Sequence, residues 1–428
     1  MSDYLFLMES RVSPEQWQVL ATMQNAAAAQ GVNLYLAGGA VRDLIAGLPI
    51  DDLDFVVEGK ALKLLPALTR HGARVLRQNT ALQTAELQFD GGVLGSVSQA
   101  RSETYPKPGS RPVAAPGTIV QALKRRDFAM NAIALSLNPN SRGLLLDPTN
   151  GLADIEKKEI RMLHNRAFLD DPARMFRAVR LRVRLGFSWD PKTAQQFQSA
   201  REQGVAEQAA GDSLAQELRQ LARERNLVEV LKALEKEKLL RALSPRLQGA
   251  TLNWQLMARA RKASQTLSHA GLRAPSFSLF LRLLCGKFPA KDQDQLRQRI
   301  DLKKTEWSLS QKEEQQAKRL AKEIQGKAGS TPTKLFQMLS KASPDVLLIL
   351  LVSYPHVKVQ TRLKAYLTKY LPLRLHLPEK ELQQLGVKAG TARYQKILDA
   401  YFFACIEGEL RTPGQQQKFL ARLAQETK

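Results

Sequence analysis

Cysteine is nearly absent from this chain: Cys285 and Cys405 are the only two in 428 residues. A disulfide framework and an all-cysteine zinc site are therefore excluded, and the low thiol count suits a reducing cytosol. Long apolar runs are missing as well, and no stretch approaches the roughly 18 residues a membrane span requires. The opening MSDYLFLMES carries acid before any base, unlike a secretory signal. The expectation is a soluble, cytoplasmic protein with no membrane partner. Histidine is scarce and scattered, at His71, His164, His269, His356 and His376, which argues against a histidine-rich zinc centre. No P-loop, G-x-G-x-x-G or H-E-x-x-H occurs, so neither glycine-rich nucleotide cradle is indicated.

Acid is also in short supply. Lys and Arg number 64 against 41 Asp and Glu, a formal charge of +23. The excess is uneven, because residues 251–428 hold 31 of the bases but only 14 of the acids. A long basic surface is the electrostatic footprint of a polyanion partner, since each neutralised phosphate releases a counterion. Solvated Lys-rich helix faces give the same count, and the salt dependence of binding separates the two readings. With 44% apolar and 25% charged residues, the chain is globular rather than disordered. It is also too long for one small core.

The first 150 or so residues read as mixed α/β. Pro14 to Gly31 has Trp17, Leu20 and Met23 spaced for one helical face. VNLYLAGG reads as a strand ending in a glycine pair, residues 41–48 as a short helix, and LDFVVEG as a second strand. ALKLLPALTRHG resembles a helix despite Pro66, while ARVLRQ, TAELQF and VLGSVSQ look like strands. TYPKPGSRPVAAPG, with four prolines and two glycines, is expected to be a loop or flap. From about Asp154 the pattern becomes helix after helix, as in LAQELRQLARE and PDVLLILLVSY.

Gly38-Gly39 closes the first strand, Ala40-Val41-Arg42-Asp43 follows, and Asp52-Leu53-Asp54 opens the next strand. Alternate residues of a strand share a face, so Asp52 and Asp54 can present two carboxylates to one cleft. Their repulsion is relieved by a hard divalent ion such as Mg²⁺. The glycine pair removes side chains where backbone N–H groups could line an anion-binding turn. Together these would hold a metal–triphosphate for attack by a hydroxyl. Taken singly, a D-x-D is also an ordinary strand end, and a Gly pair an ordinary tight turn. A second cluster is Lys124-Arg125-Arg126-Asp127-Phe128 with Asn131. If it begins a helix, Asp127 and Asn131 share a face and Arg126 can meet a triphosphate. A basic helix start with an internal ion pair explains it equally. In the third cluster, Asp170-Asp171-Pro172-Ala173-Arg174, proline after an acidic cap starts a helix on which Asp171 and Arg174 meet. Such a pair is what reading a base edge requires, and it also serves as a plain cap.

The combination resembles the class II CCA-adding enzymes (tRNA nucleotidyltransferases) and the bacterial poly(A) polymerases similar to them, of the polymerase-β-type superfamily. LYLAGGAVRDLIAGLPIDDLDFVV is similar to the family's first motif, ARSETY to its flap region, and LKRRDFAMNAIA to its RRDFTINA motif. DPTNGLADI resembles the next motif, and DDPARMFRAVRLRVRLGF its EDPLRMLRA-type template motif. The likeness is close from about residue 33 to 190.

The resemblance implies an α+β fold class, a polymerase-β-type nucleotidyltransferase head with a small mixed sheet, followed by an all-α neck, body and tail. The corresponding ranges are 10–155 for the head, 156–225 for a neck with the nucleotide-template motif, 226–300 for the body and 301–428 for a basic tail. It implies Mg²⁺ on Asp52 and Asp54, with Gly38, Gly39, Arg42 and Asp43 binding the triphosphate or shaping its site. Arg126 and Asp127, with Asn131, would contact the nucleotide. Asp171 and Arg174 would pair with the edge of CTP or ATP, with Arg177 and Arg180 among the nucleotide-binding residues. The tail would grip the tRNA acceptor arm so that its 3′ end reaches the site. The activity implied is addition or repair of the 3′-terminal CCA of tRNA from CTP and ATP. The alternatives are an A-adding enzyme, a poly(A) polymerase, or a non-catalytic RNA-binding protein on a degenerate scaffold.

The chain departs from the pattern at several points. Ser96 stands where the family usually has a carboxylate, which Asp90 or Glu103 could replace. Asp170 stands for Glu, Ala129 and Met130 for Thr and Ile, and Ser213 for an Arg of the neck. Gln83-Thr84-Ala85 shows no deletion of the flexible loop, which leans away from a CC-only enzyme.

Overall fold

A helix cap and a glycine turn set the start of the fold. Ser13 accepts from the Gln16 backbone N–H while Gln16 returns a bond to Ser13, a reciprocal cap with Pro14 in the first turn. The computed structural model describes residues 3–104, 106, 113–273 and 275–426. It divides into two units, Met1–Leu221 with Glu229–Leu243, and Ala222–Val228 with Ser244–Lys428.

The first unit opens with helices α1 (Asp3–Arg11) and α2 (Pro14–Ala29), strand β1 (Asn33–Ala37), helix α3 (Gly39–Ala46) and strand β2 (Asp52–Glu58). Next come α4 (Leu65–Arg70), β3 (Arg74–Asn79), β4 (Thr84–Gln88), β5 (Leu94–Gln99), β6 (Arg101–Thr104) and β7 (Val113–Pro116). Then follow α5 (Ile119–Lys124), β8 (Ala134–Ser136), β9 (Leu145–Leu146) and α6 (Gly151–Lys157). The main sheet has the order β3-β4-β5-β2-β1-β8-β9. Only β2 and β5 run parallel within it. One face of the central strands is dry, with Leu53, Phe55, Val57, Leu87 and Val97 fully buried. The other face carries Asp52, Asp54, Ser96 and Ser98 at the intervening positions. The strand reading is thus met by a mixed sheet with one face left for polar groups.

Three local expectations change. Residues 61–70 are not one helix, because a 3₁₀ turn at Ala61–Leu64 precedes α4, whose first turn takes Pro66. The end of the proline-rich stretch is not loop, since Val113–Pro116 pairs antiparallel with Arg101–Thr104. Its proline sits on a two-stranded ribbon with no further neighbour, where a missing N–H costs little. Tyr105 and residues 107–112 of that stretch lie outside the described residues. Finally, Asp127 does not begin a helix. The α5 helix ends at Lys124, and Asn131 closes a separate 3₁₀ turn, Ala129–Asn131.

Helices α7 (Ala167–Asp170), α8 (Ala173–Leu185), α9 (Pro191–Glu202) and α10 (Gly211–Arg223) complete the part that bears on the site. The α10 helix is strongly amphipathic, with Leu214, Ala215, Leu218 and Leu221 buried at helical spacing. The second unit is helical. Lys304–Gln325 contributes Ala317, Ala321 and Ile324 to a core shared with Leu339, Val346, Leu350, Leu363 and Phe402. Among the described residues no single helix is long and apolar enough to cross a membrane. The apolar Pro344–Ser353 is ten residues long and buried.

Candidate active site

The site grows from the turn between β1 and α3. Gly38 donates its N–H to the Ile133 carbonyl and holds φ +75°, ψ −133°, a region that an L side chain enters only under strain. A Cβ at Gly38 would also collide with Nη1 of Arg126, so this glycine lets the guanidinium lie across the turn. Gly39 opens α3, whose first N–H groups receive no side-chain cap. Those N–H groups are ready to donate to an anionic oxygen.

Asp52 and Asp54 stand half-buried on one face of β2 and line a cavity of about 360 Å³. The parallel register places Ser96 of β5 beside Asp54, and the Ser96 hydroxyl donates to Asp54 Oδ1 at 2.6 Å. Across the cavity, α8 contributes Arg174, Arg177, Leu181 and Arg184, spaced for a single helical face, and Arg180 beside them. The α10 helix adds Gln216, Glu217 and Gln220. Seven arginines and four acids line the space, so its field favours an anion.

The polar groups form a connected lattice. Arg42 and Asp43, each 3% exposed, pair with one another. Arg42 also donates to Asn131 Oδ1 at 2.7 Å, and Asn131 donates to Asp127 Oδ1 at 3.3 Å. Arg177 bridges Asp127 at 2.5 Å and Glu217 at 2.6 Å, and Arg180 reaches the other Glu217 oxygen at 3.3 Å. Arg184 binds Asp43 and Asp51, each at 3.0 Å, tying the last turn of α8 to the segment that precedes Asp52. Beneath the 3₁₀ turn, the Asp147 carboxylate accepts the Gly151 and Leu152 N–H groups. Gly151 packs so closely on the Ala129 carbonyl that no Cβ fits. The DPTNG motif thus supports the turn that aims Asn131.

Charge states follow from this packing. Burial pushes the Asp127 carboxyl up, but Arg177 and Arg174 outweigh it and hold the group well below the usual carboxylate range. Burial alone would lower Arg177, yet Glu217, Asp127 and Asp171 raise it far above its ordinary value. Arg126 is shifted down, chiefly by burial, against the opposing pull of Asp54 and Asp127. Asp171 is raised by burial despite Arg177 and Arg174.

Most residues singled out in the sequence converge on this cavity: Gly39, Arg42, Asp52, Asp54, Arg126, Asp127, Asn131, Arg174, Arg177 and Arg180 all line it. Gly38, Asp43 and Asp171 do not. Gly38 shapes the turn and Asp43 fixes Arg42. Asp171 accepts the Ala173 N–H at 3.3 Å and lies 3.6 Å from Arg174 Nε. Glu103 is held by Arg101 and Arg125 at 2.8 and 3.0 Å, and Asp90 sits against the Gly72 turn. Neither lines the cavity. Glu217 and Arg184 were missed. A glutamate among the apolar positions of α10 was the available signal for the first, because a carboxylate there needs a buried partner. Ser213, at the exposed start of α10, makes a local contact with Asp212. A larger cavity of about 560 Å³ in the second unit, between Arg319, Glu323, Lys334 and Lys341, includes none of the sequence-derived candidates. Among the described residues, no group of three or more His, Cys, Asp or Glu is placed to hold a metal.

Residues 34–161 match the poly A polymerase head domain. The A-adding tRNA nucleotidyltransferase of Geobacter sulfurreducens is 28% identical over 398 residues, covering 91% of this chain and 45% of the relative. The CC-adding tRNA nucleotidyltransferase of Deinococcus radiodurans is 39% identical over 167 residues, 39% of this chain and 45% of the relative. The chain therefore spans less than half the length of these curated relatives. A CCA-adding enzyme in its apo form II superposes with a TM-score of 0.56 at 24% identity, over 97% of this chain and 98% of the other, a likeness of fold. Residues 34–161 thus carry a poly A polymerase head domain, and the mixed sheet with its helical remainder shares the fold of the solved CCA-adding enzymes.

Proposed function

We propose that this protein is a metal-dependent tRNA nucleotidyltransferase that adds nucleotides from CTP and ATP to the tRNA 3′ end and completes its CCA terminus. The observation that carries the reading is the meeting, in one arginine-rich cavity, of the Asp52–Asp54 pair with the start of α3. Two adjacent carboxylates with no sulfur or imidazole nearby form a hard oxygen donor set, which suits Mg²⁺ with water and phosphate oxygens completing its shell. When bound there, Mg²⁺ would neutralise the triphosphate and ease deprotonation of the RNA 3′-hydroxyl.

The chain's own residues do the rest. The N–H groups at the start of α3 and the Arg126 guanidinium receive the phosphate oxygens. Arg177 and Arg180 are oriented by Glu217 and Asp127, so they meet the nucleotide without reorganising. Arg174, steadied by Asp171, offers donors to the edge of the incoming base. The 3′-oxygen then attacks the α-phosphorus, its proton leaves, and the bond to pyrophosphate breaks. The basic second unit supplies the counter-charge for the acceptor arm.

A second reading, addition of the terminal A alone, is favoured by the name of the Geobacter relative, whose alignment covers 91% of this chain. Purified protein with tRNA ending at the discriminator base, and with tRNA ending in CC, decides between them when labelled CTP and ATP are given singly. CTP incorporation onto the first substrate supports CCA addition, whereas ATP incorporation onto the second substrate only supports A addition. Long A tails would point to a polymerase. Asp52→Ala is expected to abolish transfer while tRNA binding persists. Binding without turnover in the wild type at any Mg²⁺ concentration would refute the enzymatic reading.

A further inference from the structure

The face that carries Asp52 and Asp54 continues across the sheet. Parallel register puts Ser96 beside Asp54, and the antiparallel β4–β5 register puts Glu86 beside Ser96. The residues between them, Leu53, Phe55, Val97, Ala85 and Leu87, are buried on the opposite face. Asp54, Ser96 and Glu86 therefore form one row across three strands. Within it the Ser96 hydroxyl donates to Asp54 Oδ1 at 2.6 Å, the short range of a charge-assisted bond. Glu86 turns the other way, to Arg77 of β3 at 2.5 Å, on the more exposed side.

A strand carboxylate has a broad, poorly defined terminal torsion. A donor fixed on the neighbouring strand removes that freedom by holding one oxygen and leaving the second for another ligand. A third carboxylate at the same place would instead add repulsion. We propose that Ser96 is a positioning residue whose hydrogen bond orients Asp54 for a divalent cation. The protein's anionic ligands are then Asp52 and Asp54, without Glu86. The inference rests on reading those two aspartates as the metal pair.

Titration of the full chain with Mn²⁺, followed by electron paramagnetic resonance of the free ion, tests both claims. Asp54→Ala and Asp52→Ala should each lose the site. Ser96→Ala should weaken Mn²⁺ binding by about 5-fold, the worth of one modest hydrogen bond. Ser96→Thr, which keeps the hydroxyl, should remain within about twofold of wild type. Ser96→Asp should bind Mn²⁺ more tightly yet melt at a lower temperature without metal, a crossing of sign that a merely structural role would not produce. Glu86→Gln should change nothing. The proposal is overturned if Ser96→Ala matches wild type while Asp54→Ala loses binding, or if Glu86→Gln weakens binding as much as Ser96→Ala. If wild type binds no better than Asp52→Ala, the metal-pair reading fails and this inference falls with it.

Discussion

Replacing Glu217 by alanine is expected to destabilise the first unit strongly, although this residue lies outside the motifs that mark the head. Its carboxylate is 3% exposed and receives Arg177 Nε at 2.6 Å, Arg177 Nη2 at 2.5 Å and Arg180 Nη2 at 3.3 Å. Removing one partner of a buried ion pair costs about 3–5 kcal/mol, because the remaining charge stays desolvated. Arg177 keeps Asp127 at 2.5 Å and is partly exposed, so the cost here falls to or below the bottom of that range, at about 2–3 kcal/mol. For a unit of this size, that corresponds to a fall in Tm of roughly 4–12 °C. Glu217→Gln keeps an acceptor and should cost about half as much. Thermal unfolding of both variants gives the totals. A double-mutant cycle with Arg177→Ala should return a coupling of at least about 1 kcal/mol. Nucleotide affinity should fall together with stability, because Arg177 and Arg180 lose the group that orients them. A Glu217→Ala protein within about 0.5 kcal/mol of wild type would show that the cluster is solvated in solution and refute the argument.

Other consequences can be checked with the same preparations. Gly38→Ala should cost about 1–3 kcal/mol through backbone strain and should also weaken nucleotide binding, because its methyl displaces Arg126; denaturant unfolding and a nucleotide titration read the two effects. Arg174→Ala should blur base choice more than it slows transfer, seen as misincorporation of UTP or GTP. In the second unit, burial and the nearby Asp345 raise the Glu313 carboxyl to about 7. Since this lies above its unfolded value, the folded state holds a proton that the unfolded state has released. The contribution is full below about pH 4.5 and is lost as pH rises through about 7. Glu313→Gln should flatten that dependence and gain about 1–2 kcal/mol at pH 8, after discounting for solvent screening at this half-exposed group. Unfolding midpoints at pH 5 and pH 8 decide it.

Much of the head was legible because its signals are local. A glycine pair ending an apolar strand, and aspartates at alternate positions of the next, need only strand periodicity to be placed on one face. Arg174 was likewise set by a helix whose start was marked by Asp171-Pro172. What failed was local geometry under tertiary control. Asp127 and Asn131 do meet, but across a turn held by Asp147 and Gly151 rather than along a helix. Nothing in the spacing of four residues distinguishes the two arrangements. Glu217 and Arg184 act over separations of 40 and 141 residues, which no motif window spans.

The division of labour within the arginine cluster follows from two opposed requirements. A triphosphate needs a surplus of positive charge, yet several guanidinium groups packed together repel one another and lose hydration. The structure meets both demands by sharing acids. Asp43 serves Arg42 and Arg184, and Glu217 serves Arg177 and Arg180. Asp127 holds Arg177 directly and is kept ionised by Arg174 as well. One carboxylate between two guanidiniums suffices to fix their planes but cannot neutralise them. Along the cavity lining the arginines still outnumber the acids seven to four, and a carboxylate has too few oxygens to occupy every N–H of two guanidiniums. The acids therefore set the orientation of the cluster and its arginines set the sign of its field, so replacing any one of those acids should disorder the cavity before it changes the preference for an anion.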